Sequence, residues 1–449
     1  MKKIVSDAQQ LSIDVREGAL VIECAKITLS QQCAKNRVTY SAAGRIIQDK
    51  KGCFYICMNY KCKKSSSPFL IMTSSALSNN TPTGTVFPKS SYFSMVAVSV
   101  DGKVWRGEDI WLEADCFWTT RTAVVKAECS VISNMAVHRD SPAVNYYEYT
   151  VNVKDFLFPK NEFTDYGDGR LRNVSVFSVG RYSCRLKIHE SYISLFISSE
   201  KRVDKKICGA ILKSIEIISG TPLKPTVTVS RNRFNSFTKI EALDMSEQDM
   251  RLPPPIPNRH PGQLNNCALY IKLMVKKIAC EQPLFYQYWQ ELCVSQTASI
   301  ESFSLCVSVN VEGMVNEYFP DLRRADPEFV QECHDAAAIL RALLTGTEIT
   351  SRVQEKIFHS LASAKTPSVK NALYSIFEKN AVDKWNLIRH PAAHGTLSQK
   401  KFNTQQLLDS SYSCIFMFYE MLARHIGFNG DRIDYSSGGH PRLLCDVQD

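Results

Sequence analysis

Arg389 and His394 stand five positions apart in the segment Trp385-Asn386-Leu387-Ile388-Arg389-His390-Pro391-Ala392-Ala393-His394-Gly395. Guanidinium is permanently charged and grips two phosphate oxygens at once, so it stabilises charge that builds on a phosphate in a transition state. Imidazole, with an ordinary pKa of about 6.5, takes or returns a proton near neutral pH. Together they suit RNA strand scission by the 2'-hydroxyl, because the nucleophile already sits beside the phosphorus. That chemistry calls for no metal and no other cofactor.

On an uninterrupted helix two side chains five positions apart diverge by about 140°. Pro391 and Gly395 predict a bend at which an arginine at the helix end and a histidine in the following turn converge. Four residues are candidates to support the pair. His390, next to the arginine, can steady the phosphate or simply be exposed. Asn386 lies about one turn before Arg389 and can orient it or belong to the wet face. Glu312 and Asp383 are carboxylates that can orient His394 and bias its tautomer, or else be solvated or salt-bridged. The pair itself also has a bland reading, with Arg389 capping helix carbonyls and His394 a surface turn residue. His334 and His359 fall on helices without a matching ligand set and are read as structural.

The elements that must position these residues differ between two regions. From about residue 20 to 245, short alternating runs rich in Val, Ile, Tyr and Phe are separated by turn residues, which predicts an antiparallel sandwich or barrel-like domain. The runs are Tyr92 to Val100, turning at Asp101-Gly102 into Lys103 to Trp105, then Ala123 to Ile132, Tyr146 to Val153, Ser175 to Ile188 and Tyr192 to Ile197. Leu252-Pro253-Pro254-Pro255-Ile256-Pro257 then predicts an extended, semi-rigid spacer. The expected organisation is a β-rich domain over 1–250, a Pro-rich linker over 251–264 and a helical domain over 265–449.

In that last region the period is helical. Cys267 to Cys280 is one apolar helix, and Ile300, Phe303, Val307, Val311, Met314 and Tyr318 mark a second. Asp326-Pro327 opens a third that stops at Gly346. Thr366-Pro367 opens a fourth whose buried stripe is Val369, Leu373, Ile376, Phe377, Ala381, Trp385 and Ile388, and Pro391 should end it soon after Ile388. A last helix runs from about Gln405 to Ile426 and stops at Gly427. The fold class expected is α+β, a β-rich domain followed by an all-α bundle.

An arginine, a polar residue, a few further positions and a histidine, at a helix end in such a bundle, resembles the HEPN superfamily of ribonucleases; Arg389, His390 and His394 fall on that pattern. The chain is further similar to the ApeA-like HEPN group of bacterial defence proteins, which place a β-rich domain before the bundle. Its traces here are the hairpin Ser91 to Ile110 with Asp101-Gly102-Lys103-Val104-Trp105, the apolar last helix and the tail Ile426 to Tyr435. The resemblance implies an endoribonuclease acting on RNA, tRNA among the candidates, with abortive infection as the outcome. It also implies a phage-derived trigger sensed by the N-terminal domain, and a homodimer through the HEPN domain. Pairing would supply one histidine as base and another as acid. The competing expectation is a non-catalytic HEPN module that binds a nucleotide or a partner and serves as scaffold or dimerisation device.

Composition narrows the classes further. With 449 residues the chain suits two or three domains, and 44% hydrophobic with 22% charged residues is the balance of a soluble globular protein. No run approaches the roughly 20 apolar residues of a membrane span, and Met1-Lys2-Lys3 leads into Ile4-Val5-Ser6-Asp7 rather than an export signal, so a cytoplasmic protein without membrane contact is expected. Residues 1–264 carry 36 Lys+Arg against 25 Asp+Glu, whereas residues 265–449 carry 18 against 20. That excess fits an acidic partner or a nucleic-acid backbone, or equally a solvated surface. The 16 cysteines are read mainly as reduced, small hydrophobes. Cys53, Cys57 and Cys62 cluster without a CxxC step or an obvious fourth ligand, and a strand face shared by Cys53, Tyr55 and Cys57 is preferred to zinc as the explanation. Phosphate-loop, nucleophile-elbow, HExxH and dinucleotide-fold motifs are all missing.

Overall fold

The computed structural model describes residues 7–33, 37–49, 52–61, 87–112, 122–137, 145–166, 169–242, 250–280, 283–365, 367–393 and 403–444. They divide into two compact units, one of residues 1–249 with 258–268 and one of residues 250–257 with 269–449. The architecture is α+β, β-rich in its N-terminal part and helical in its C-terminal part.

In the first unit, β1 (Val21–Gln31), β2 (Thr39–Gln48), β3 (Phe54–Lys61), β4 (Phe93–Ser99), β5 (Val104–Leu112) and β6 (Thr122–Cys129) pair in the order β4-β1-β2-β3-β6-β5. Strand β5 returns to β4 and closes a six-stranded antiparallel barrel. Alternation explains its filling: Ile46, Phe54, Ile56, Met95 and Val125 point inward and are almost wholly buried. Each such side chain contributes about 1.5–3 kcal/mol by leaving water. In β1 the alternation slips, because Ala25 and Lys26 are both exposed. A bulge between Cys24 and Ile27 absorbs the extra residue and keeps Ile27 and Leu29 inside. Gly44 lies opposite, where a Cβ would stand 2.2 Å from the Cys57 carbonyl oxygen, so only glycine lets β2 and β3 approach there.

Strand β7 (Val131–Val137) pairs with β5 and leads into an antiparallel sheet of order β7-β14-β13-β8-β12-β11-β10-β9. Its members are β8 (Asn145–Asn152), β9 (Glu162–Tyr166), β10 (Gly169–Val179), β11 (Tyr182–Ile188), β12 (Tyr192–Ser199), β13 (Pro225–Arg231) and β14 (Asn235–Glu241). Helix α1 (Asp7–Arg16) precedes β1, and α2 (Lys205–Ser219) lies between β12 and β13. The hairpin at Asp101-Gly102 forms as expected. Two expected single strands are in fact pairs: Ala123 to Ile132 breaks at Ser130, and Ser175 to Ile188 folds back at Gly180, whose φ of 58° suits glycine.

Helix α2 is a departure from the all-strand expectation. Its signals are nonetheless ordinary, since Asp204 accepts a hydrogen bond from Lys206 N and Gly220 closes the helix in the left-handed region at φ 69°. Ile211, Ile215, Ile217 and Ile218 are all fully buried, while Lys206, Gly209 and Lys213 mark the opposite, wetter side at helical spacing. Its buried carboxylate is satisfied, because Glu216 Oε1 accepts from Leu223 N at 2.9 Å.

The Pro-rich stretch forms neither helix nor strand. It is packed rather than a free spacer: Leu252 and Ile256 are buried, Pro254 O accepts from the Tyr435 hydroxyl at 2.7 Å, and Pro255 O accepts from Ile433 N at 3.2 Å. Eight helices follow among the described residues: α3 (Leu264–Cys280), α4 (Leu284–Gln296), α5 (Ile300–Tyr318), α6 (Pro327–Leu344), α7 (Ser351–Ala364), α8 (Val369–Tyr374), α9 (Lys379–Ala393) and α10 (Thr404–Ile426). Helix α10 is the centre of this region, with Cys414, Met417, Phe418, Met421 and Leu422 wholly buried. Ser304 and Ser411 meet hydroxyl to hydroxyl at 2.8 Å where α5 packs on it.

Two helix expectations need correction. The stripe from Val369 to Ile388 belongs to two helices, α8 and α9, separated at residues 375–378, and α8 is capped by Ser368, whose hydroxyl accepts from Asn371 N. Thr366 lies outside the described residues. Helix α9 also does not end after Ile388, but passes through Pro391 to Ala393. Only the Leu387 carbonyl loses its donor to the proline, a loss confined to the last turn. No helix among the described residues is long and apolar enough to cross a membrane.

Candidate active site

Helix α9 is fixed by Ala381, Val382, Trp385 and Ile388, all buried against α5 and α10. Trp385 adds a directional tie, its Nε1 donating to the Ser308 carbonyl of α5 at 2.9 Å. One turn further along both helices, Arg389 Nε donates to Glu312 Oε2 at 2.8 Å. Steps of four on each helix make these two rungs of one ladder, and they require α5 and α9 to run in the same direction here. The lower rung is buried. The upper lies at the edge of the core, with the Arg389 side chain 26% exposed and that of Glu312 32% exposed.

Engagement through Nε matters chemically. Guanidinium offers five N–H donors in a planar fork, of which the carboxylate on Nε engages one; the Nη edge is the part of such a fork that pairs with two-pronged acceptors. A phosphate suits that edge.

The α5 row continues. Asn316, one turn past Glu312, accepts a hydrogen bond from Arg323 Nη1, while Arg323 Nε donates to the Pro367 carbonyl at 3.2 Å. A second arginine therefore reaches the same row one turn beyond the first. Sequence reasoning missed it, because Pro320-Asp321-Leu322-Arg323 is a 3-10 turn whose use of α5 no local pattern reports.

Other expected residues distribute differently. Glu312 is engaged with Arg389. Asp383 is exposed and accepts from the Tyr374 hydroxyl at 2.9 Å, and six positions before Arg389 on a helix it points about 120° away from it. Asn386 is exposed one turn before Arg389. His390 lies within α9, its side chain outside what is described, and His394 lies outside the described residues altogether. The last helical residue described, Ala393, falls one turn past Arg389 on the same face, and the expected bend toward His394 and Gly395 lies on residues outside those described.

His334 lies 3.1 Å from Lys365 Nζ, and His359 lies 3.4 Å from the Ser363 hydroxyl, both on exposed helix faces. No group of three or more potential metal ligands occurs among the described residues. Cys53 and Cys57 are half-buried at β3, and Cys62 lies outside the described residues. Burial pushes the thiols of Cys24 and Cys129 up to about 11 and those of Cys184, Cys208 and Cys267 up to about 12, which leaves them inert packing groups. No family model, no curated protein and no solved structure matches the chain.

Proposed function

We propose that the helical region is a HEPN-type, metal-independent endoribonuclease whose reaction centres on Arg389 and His394. The observation that carries this reading is the Arg389–Glu312 rung, a guanidinium held at the edge of the core by a carboxylate of the neighbouring helix. In the proposed step the RNA 2'-oxygen attacks phosphorus and passes its proton to an imidazole, while the bond to the 5'-oxygen breaks and that oxygen takes a proton. The products are a 2',3'-cyclic phosphate and a 5'-hydroxyl. Arg389 clamps the scissile phosphate, His394 moves the proton and His390 supports the phosphate or the arginine. No single imidazole serves as base and acid at once, so the active form is a homodimer with two Arg/His sets.

The remaining parts of the reading come from the resemblance. The protein acts in the cytoplasm as an anti-phage, abortive-infection nuclease on RNA, tRNA among the candidates, and the β-rich region senses a phage-derived trigger. Product ends test the chemistry: RNA cut in EDTA should carry 2',3'-cyclic phosphate and 5'-hydroxyl termini, whereas 3'-hydroxyl and 5'-phosphate ends would rule the mechanism out.

One observation favours a second reading, a non-catalytic binding or dimerisation module. The Arg389–Glu312 pair is complete in itself and would serve equally to tie α9 to α5. That reading predicts a loss of stability or binding, and no RNA cleavage by the wild type, when Arg389→Ala is compared with it.

A further inference from the structure

A cavity of about 560 Å³ lies in the first unit, walled by β8, the β13–β14 hairpin and the start of α2. Its volume falls within the roughly 300–1,000 Å³ of small-molecule sites, far more than an inorganic anion fills. Four cations line it, Arg181, Arg202, Lys205 and Arg231, against one carboxylate, Asp204. Asp204 Oδ1 accepts from Lys206 N at 2.8 Å as the cap of α2, and its charge offsets only one of the four cations. The cations arrive from three separate places: the β10–β11 turn, the approach to α2 and the end of β13. Arg181, Arg202 and Lys205 are exposed, so the concavity presents a net positive charge to solvent, which attracts anions.

Phe237 of β14 also lines the cavity and is 39% exposed, an apolar ring left in water beside the cations. Tyr147 and the amides of Asn145 and Asn235 complete a wall with both an aromatic face and hydrogen-bonding edges. An anion of several charges that carries a flat, polar-edged ring matches this lining in size, charge and chemistry. A single-stranded nucleic acid is the competing occupant, and competition by RNA distinguishes the two.

We propose that this cavity binds a nucleoside di- or triphosphate, with its phosphates on Arg181, Arg202, Lys205 and Arg231 and its base against Phe237. The site is independent of the Arg389 chemistry, and its failure would leave that reading where it stands.

Calorimetric titration of the full chain tests it, with ATP and GTP as probes and adenosine, pyrophosphate and a short single-stranded RNA as controls and competitors. Expected is one site per chain for at least one triphosphate, with adenosine and pyrophosphate each weaker by about tenfold or more. Arg202→Glu should weaken binding by about tenfold and Phe237→Ala by about threefold, with unchanged melting temperatures because both side chains are exposed. The proposal fails if neither triphosphate binds at about 1 mM, or if pyrophosphate binds as tightly as ATP, which would make this a plain anion site. It also fails if the RNA displaces ATP at lower concentration than ATP itself, which would make this a nucleic-acid surface. The two competition results come from the wild type, so they decide the matter even if a variant misfolds.

Discussion

Arg389 donates through Nε to Glu312 one helical turn beyond the place where Trp385 donates to the Ser308 carbonyl. The buried tie sets the spacing of α5 and α9, and the half-exposed pair uses that spacing to aim a guanidinium. In the proposed enzyme, positioning and chemistry therefore reside in neighbouring turns of one helix.

Glu312 acts as a positioning residue in this account. Glu312→Ala should lower kcat for RNA cleavage by about tenfold with little change in KM, because the guanidinium loses its fixed plane in the transition state rather than its charge. The pair is part-exposed, so its removal should change stability by no more than about 1 kcal/mol. Steady-state kinetics beside a urea titration separate the two roles; a large loss of stability with unaltered kcat would make the pair purely structural.

Trp385→Phe keeps most of the buried ring and removes the Nε1 donor, leaving the Ser308 carbonyl without that partner. That carbonyl keeps its helical donor at Glu312 N, so the loss is that of one net hydrogen bond, about 0.5–1.5 kcal/mol. Urea unfolding should register that loss, and cleavage should fall with it as the Arg389 rung loosens. Unchanged stability would mean that α9 is held by burial alone.

Arg323 reaches the α5 row one turn past Glu312 and, in the proposed enzyme, meets a neighbouring phosphate of the RNA. Arg323→Ala should raise KM by about threefold, leave kcat near the wild-type value and reduce the salt dependence of RNA binding by about one ion. Loss of kcat with an unaltered KM would place it in the reaction itself.

His189 stacks on Tyr192 with ring centroids 3.9 Å apart, and the Arg16 guanidinium lies 4.4 Å from the same ring. Burial first, and then the charges of Lys187 and Arg16, depress the His189 pKa to about 4 from 6.5. The unfolded chain therefore takes up a proton that the folded one refuses, so this contribution is complete above pH 6.5 and is lost as the pH falls toward 4. Chemical denaturation across that window should show wild-type stability declining and His189→Phe, which keeps an aromatic stack, declining less. Parallel curves would show that His189 does not govern the window. Asp101 acts lower, since the Ser99 hydroxyl and then Lys103 hold its carboxyl at about 2, and its contribution fades only below 3.8.

Much of the fold was legible where one face of an element is dry and the other wet. Helices at Ile300–Tyr318 and Thr404–Ile426 and the hairpin at Asp101-Gly102 carry their period, caps or turn chemistry openly. Helix α2 was not, because its Ile-rich run lies between strands of like composition, although Asp204 and Gly220 mark its ends. The division of α8 from α9 was hidden for another reason, as both helices contribute to one apolar row and the break falls between its members. At the candidate site the residue types were legible and the partnerships were not. Glu312 lies 77 positions from Arg389, and nothing local reports which of the available groups it will meet.

The most direct test of the central claim compares wild type with the Arg389→Ala/His394→Ala double variant, each incubated in EDTA with total RNA from uninfected and from phage-infected cells, with phage lysate added to half of the samples. The account predicts cutting by wild type alone, with dependence on the lysate marking the β-rich region as the sensor. Equal cutting by the double variant, or none by wild type under any of these conditions, would contradict it.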